Sequence, residues 1–392
     1  MAAPVLAVNY KARFIIRMAA PLMKKRNLYL RYENMSKIKD NLLIIIAGLA
    51  VGIASVVLVA FGNPGNMGFC IACFIRDIAG GVKLHTAPVV QYVRPEVIGI
   101  VLGSMIMALI GGEFKAKGGS APVSRFVLGF CVMVGALMFL GCPLRMVIRL
   151  GGGDGNAIIG LVGFVAGVGV GTVFLNKGFT FKRSYNVPTI EGFALPAINI
   201  GLLVLLLAFP ALLAFSSEAP GSKHAPIAMA LIIGLVIGAL AQKSRLCMAG
   251  GIRDAFMLKD FHLLWGFVAI FAAVLVGNLI TGKFTFSFAD QPVAYNALAD
   301  GNFIWAFLGM FLVGVASILL GGCPLRQLVL AGAGSSDSTL AVLGMTVGAA
   351  FCHNFGLASS GKGTTLNGKI AVIVCLVVTF IIGAVNCRKV EE

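Results

Sequence analysis

Ten long apolar runs limit what this chain can fold into. They fall at about residues 41–61, 96–112, 123–141, 157–175, 193–215, 225–242, 263–281, 302–320, 339–356 and 368–386. About 20 apolar residues form a helix that crosses a hydrocarbon core about 30 Å thick, whereas a barrel strand needs only about 9–11. Inside that core the backbone must satisfy its own hydrogen bonds, which leaves helices as the reading for runs of this length. An all-α polytopic membrane protein is therefore expected. Composition agrees, because 12% of the residues are charged and 59% hydrophobic, against about 25% charged in a soluble domain. The 50 glycines suit membrane helices packed through small side chains, as in Gly167-Val168-Gly169-Val170-Gly171.

The formal net charge of +16 is unevenly spread. Residues 1–40 hold Lys11, Arg13, Arg17, Lys24, Lys25, Arg26, Arg31, Lys37 and Lys39 against Glu33 and Asp40, and the cluster stops where the first apolar run starts. That is the pattern of a cytoplasmic segment under the positive-inside rule rather than of a nucleic-acid surface. No signal peptide of the usual form is read there. Residues 12–23 could lie along the membrane surface, although Pro21 would interrupt a helix. Ten crossings return the chain to its starting side, so 387–392, with Arg388 and Lys389, reads as a cytoplasmic tail of an inner-membrane protein. Arg76, Lys83 and Arg94 in the first loop run against the rule, and Arg76 is excused if it belongs to a segment dipping into the protein. Glu96 and Arg125 are expected at membrane interfaces.

The chain contains an internal repeat. Gly141-Cys142-Pro143-Leu144-Arg145 recurs as Gly322-Cys323-Pro324-Leu325-Arg326, each after a long apolar run and before a glycine-rich stretch. Upstream, Cys70 matches Cys247, and Ile75-Arg76-Asp77 matches Ile252-Arg253-Asp254 at the same spacing. The halves are read as 41–215 and 216–386. Five crossings per half, an odd number, would relate them by an axis in the membrane plane. Cys70 and Cys142 would then approach from one face and Cys247 and Cys323 from the other. The inversion depends on the fifth run, 193–215, crossing.

Each Cys-Pro element reads as a short helix with proline at its first position, where the missing N–H costs nothing. Such a start aims free N–H groups and the positive end of the helix dipole at the cysteine, a place suited to anions. A neutral thiol there can act as a weak donor to a soft, polarizable atom. Arg145 and Arg326 lie beside these cysteines, while Arg76-Asp77 and Arg253-Asp254 are expected to brace the dipping segments by pairing, since unpaired charges are expensive there. Cys131 and Cys375 read as apolar filler, Cys387 has no assigned role, and Cys352-His353 reads as filler beside a hydrogen-bonded histidine. Cys70-x-x-Cys73 has no second pair, because Gly250 stands where the repeat would require one. No metal set, cofactor, catalytic constellation or ATPase loop is read, and a disulfide framework is not expected.

These motifs resemble the YeeE/YedE family of membrane proteins over roughly residues 41–386, nearest to the YedE-type selenium transporters. The resemblance implies an inverted-repeat fold with short dipping helices and a narrow central path lined by Cys70, Cys142, Cys247 and Cys323. It implies passage of a small selenium- or sulfur-containing species, thiosulfate among them, by contacts with thiols. It also implies a sulfurtransferase-like carrier as a cytoplasmic partner. Two other roles stay open: a membrane thiol redox protein using Cys70 and Cys73, and a membrane scaffold docking a selenium or sulfur carrier.

Overall fold

The computed structural model describes residues 41–289, 291–292 and 294–387. The basic segment 1–40, its surface helix and the tail charges Arg388 and Lys389 lie outside the described residues. Each apolar run is a helix. In chain order the first half holds α1 (Asn41–Ala60), α2 (Ile71–Gly81), α3 (Pro95–Ile110), α4 (Pro122–Phe139), α5 (Pro143–Gly151), α6 (Asn156–Asn176), a single turn α7 (Thr189–Gly192) and α8 (Ala194–Ala208). The second holds α9 (Ile227–Ser244), α10 (Met248–Leu258), α11 (His262–Ile280), α12 (Asn302–Leu320), α13 (Pro324–Gly332), α14 (Ser336–Asn354) and α15 (Leu366–Val385). Among the described residues seven stretches are long and apolar enough to cross a membrane, and the chain is an all-α polytopic membrane protein.

The fifth run falls short of its expected bounds. α8 has 15 residues, about 22 Å at 1.5 Å per residue, and stops at Ala208 because Pro210 cannot continue it and opens a 3₁₀ turn, Pro210–Leu212. Glu96 is fully buried in the first turn of α3 and takes a hydrogen bond from Asn63 Nδ2 at 3.0 Å.

Packing exchanges the halves. α6 lies on α12 as α14 lies on α4, and α5 lies on α11 as α13 lies on α3. The correspondence holds residue by residue. A Cβ on Gly163 or Gly167 would strike the carbonyl oxygen of Phe307 or Phe311, and one on Gly344 or Gly348 would press on that of Phe126 or Phe130. The offset linking Cys142 to Cys323 links these pairs too. Bare glycine faces let the backbones approach closely, which is how helices associate where lipid competes for apolar contacts.

The loops repeat the exchange. Asp154, past the end of α5, bridges Ser287, and Ser335, past the end of α13, bridges Lys117. A two-residue antiparallel pair, β1 (Lys117–Gly118) with β2 (Tyr185–Asn186), ties the loop after α3 to the loop after α6. α4 and α12 both end on a left-handed residue that turns the chain into its Cys-Pro element. In α12 it is Gly321, φ 83°, at no steric cost; in α4 it is Leu140, φ 61°, held there by its buried surroundings.

Candidate functional site

Four short helices carry the predicted cysteines at their N-caps: Cys70 on α2, Cys142 on α5, Cys247 on α10 and Cys323 on α13. Proline stands at the first position of α5 and α13, where the sequence placed it and its missing N–H costs nothing. All four thiols are free and buried. They form two groups, one per half.

In the first group Cys70 Sγ lies 4.0 Å from Cys142 Sγ and 2.9 Å from Cys73 Sγ, and the Cys73 N–H caps Cys70 Sγ at 3.3 Å. Arg145 Nη1 donates to Cys73 Sγ at 3.2 Å, and its Nε donates to the Asn66 carbonyl at 2.9 Å. In the second group the Cys323 N–H donates to Cys247 Sγ at 3.5 Å and the Gly250 N–H to the same sulfur at 3.3 Å. Arg326 lies beside this pair, lining the same cavity as Cys247 and Gly250. The groups are linked through their helices, since α2 touches α13 and α5 touches α10. Each sulfur thus sits where helix N–H groups converge, which favours a bound anion.

The arginine–aspartate pairs form, but they are unequal. Arg76 donates to Asp77 Oδ1 from Nε at 2.9 Å and Nη2 at 2.7 Å, and the other carboxylate oxygen accepts from Arg94 Nε at 2.8 Å. Arg94 is fully buried, lies over the rings of Phe74 and Tyr92, and reaches the Lys223 carbonyl at 3.2 Å. Asn63 links Arg94 to Glu96, so the buried network joins two arginines to two carboxyl groups. Arg253 pairs with Asp254 at 2.8 Å on a half-exposed rim, with no counterpart of Arg94. Among the described residues these pairs bond within themselves, Arg76 and Arg94 to Asp77 and Arg253 to Asp254, and not to a cysteine.

Sequence reasoning missed Arg94 as a structural group. As the residue just before Pro95 it seemed a loop charge, and the repeat offered no matching arginine. It also missed Arg149, buried between Asp154 Oδ2 at 2.6 Å and the Phe139 carbonyl at 2.8 Å, with no counterpart at Leu330. The fillers are more varied than expected. Cys131 meets Cys375 between α4 and α15. The His353 ring lies against His85 at a tilt, with ring centroids 4.7 Å apart, and its buried Nε2 has no hydrogen-bond partner among the described residues.

The family described as sulphur transport matches residues 243–385, a stretch that takes in both Cys247 and Cys323. The chain is 31% identical over 114 residues to the thiosulfate transporter TsuA of Escherichia coli (strain K12). That similarity covers 29% of this chain and 30% of the relative, so the chain spans less than a third of the length of the protein it matches. The second of the duplicated Gly-Cys-Pro-Leu-Arg turns, at the cap of α13, lies within the matched stretch, and over that stretch the chain is similar to the sulphur-transport family.

Proposed function

We propose that the protein carries a small sulfur-containing anion of the thiosulfate kind across the cell inner membrane, passing it between the two cysteine groups. The observation that carries this reading is the placement of Cys70, Cys142, Cys247 and Cys323 at four buried helix N-termini that face one another in pairs. A thiosulfate-like ion has charged oxygens, which helix N–H groups and Arg145 or Arg326 suit, and a large soft sulfur, which a neutral thiol suits. Selenium-bearing analogues share both properties and belong to the same substrate class. The buried Arg76–Asp77–Arg94 cluster holds α2 against the start of α3 and so fixes the Cys70 cap.

The exchange of loop contacts supports ten crossings in two inverted halves, with Cys70 and Cys142 entered from outside and Cys247 and Cys323 from the cytoplasm. Both chain ends are then cytoplasmic, and a sulfurtransferase-like carrier is the natural acceptor on that side. Membrane lipid covers the rest. The reading is non-enzymatic: the substrate enters and leaves unchanged.

One observation favours a second reading. The Cys70 and Cys73 sulfurs lie 2.9 Å apart at a helix start, a place where a thiol pair can serve redox exchange. Uptake of radiolabelled thiosulfate, selenite and selenosulfate into proteoliposomes separates the two. The transport reading expects saturable uptake of at least thiosulfate, kept in Cys73→Ser. Loss of all function in Cys73→Ser would favour the redox reading, and failure of folded protein to take up any of the three would remove the transport reading.

A further inference from the structure

The two cysteine groups are related by the repeat yet differ at one position, and that difference decides what each arginine can do. In the first group Cys73 stands one turn into α2, and its sulfur takes the Arg145 Nη1 hydrogen. In the second, Gly250 stands there and brings no sulfur to Arg326. Arg326 Nη1 is buried without a hydrogen-bond partner among the described residues. A buried guanidinium hydrogen left unmatched is costly, and an anion beside it removes that cost.

Arg326 lines a cavity of about 400 Å³ together with Arg245, Cys247, Gly250 and the Arg253–Asp254 pair. Arg245 and Arg326 also line an adjoining hollow of about 370 Å³ that holds Lys115 and Lys117. The acidic groups nearby are largely committed: Asp254 to Arg253 at 2.8 Å, and Glu113 to Gln242 Nε2 at 2.9 Å. Asp260 and His262 also line the cavity. A third hollow, about 280 Å³ beside Asn66 and lined from both halves, has Lys283 as its one charged lining residue. The basic character is therefore concentrated around the cavity that Cys247 lines and the hollow beside it.

We propose that the second-half cavity is the holding site for the transported anion. Its oxygens lie on Arg326 and Arg245, and its soft atom faces Cys247. The first group, with Arg145 committed to Cys73, passes the ion without retaining it. This rests on the transport reading above and adds where the substrate resides and which residues select for negative charge.

The test is equilibrium binding of radiolabelled thiosulfate to the purified full chain in lipid nanodiscs, alongside uptake by the same preparations. Arg326→Gln should weaken binding at least about tenfold, and Arg145→Gln should weaken it far less. Gly250→Cys, which gives Arg326 the sulfur partner that Arg145 has, should weaken it as Arg326→Gln does. A Cβ at Gly250 would meet Cys247 Cβ and Leu263 Cδ1 at 3.3 Å, so this variant is tight. The reverse change, Cys73→Gly, removes atoms and should add a second binding site. Thiosulfate should also slow alkylation of Cys247 in the wild type but not in Arg326→Gln. Unchanged binding in Arg326→Gln, with uptake intact in the wild type, overturns the holding site and leaves transport standing. Wild-type protein that neither binds nor takes up thiosulfate overturns both.

Discussion

Asp77 and Asp254 occupy the same place in the repeat, each next to an arginine, yet their removal should have very different consequences. Asp77 is fully buried, and its two oxygens serve Arg76 and Arg94, whose side chains are 4% and 0% exposed. Asp77→Ala leaves two guanidinium groups without their carboxylate in a place water does not reach. Breaking a buried pair in this way costs about 3–5 kcal/mol, most of it the penalty of the stranded charge. The Arg253 and Asp254 side chains are 32% and 16% exposed, so solvent screens the pair and Asp254→Ala should cost at most about 1 kcal/mol. Unfolding of each variant in nanodiscs, followed by heating and by detergent titration, gives the comparison. Replacing Arg94 by Gln together with Asp77 by Asn should be milder than the two single costs added, because the charges are removed as a pair. Equal and small losses for Asp77→Ala and Asp254→Ala would refute the claim that the first cluster is sealed and structural.

The exchange-related glycine seams give a second comparison. Gly163→Val and Gly344→Val should each destabilise by about 1–3 kcal/mol or more, since each forces α6 from α12 or α14 from α4; thermal unfolding of the two proteins should show losses of similar size. Tyr295→Phe removes the hydroxyl that donates to the Met138 carbonyl at 3.0 Å and should cost about 1 kcal/mol in the same assay. Reporter cysteines at Lys115, in the loop after α3, and at Lys283, in the loop after α11, should react with membrane-impermeant reagents from opposite faces of sealed vesicles. Labelling of both from one face would contradict the inverted arrangement.

Much of the helical frame could be read directly from the chain, because hydropathy and length decide which segments can lie in lipid. The bounds of α1, α6 and α12 follow the apolar runs to within a few residues. α8 was over-extended because hydropathy continues past Pro210, where backbone chemistry does not. The short cysteine helices were legible through the repeat, since proline and cysteine at matched positions mark a cap whatever the surroundings. Arg94, Glu96 and Asn63 were not. Their pairing joins segments far apart in sequence, and nothing local separates a loop arginine from one folded under Phe74 and Tyr92. The unequal roles of Arg145 and Arg326 were also hidden. The sequence displays Cys73 against Gly250, but only the approach of Arg145 to the Cys73 sulfur gives that difference a meaning.

The measurement that bears most directly on the cysteine path is thiosulfate uptake by two double variants in proteoliposomes. Cys142→Ala with Cys323→Ala strips one thiol from each group, whereas Cys131→Ala with Cys375→Ala removes two equally buried thiols that face each other between α4 and α15. The account predicts that the first protein, still folded, loses uptake by at least about tenfold, the loss expected when a buried contact to a charged ligand is removed. The second should transport at close to the wild-type rate. Equal uptake by both proteins would contradict it.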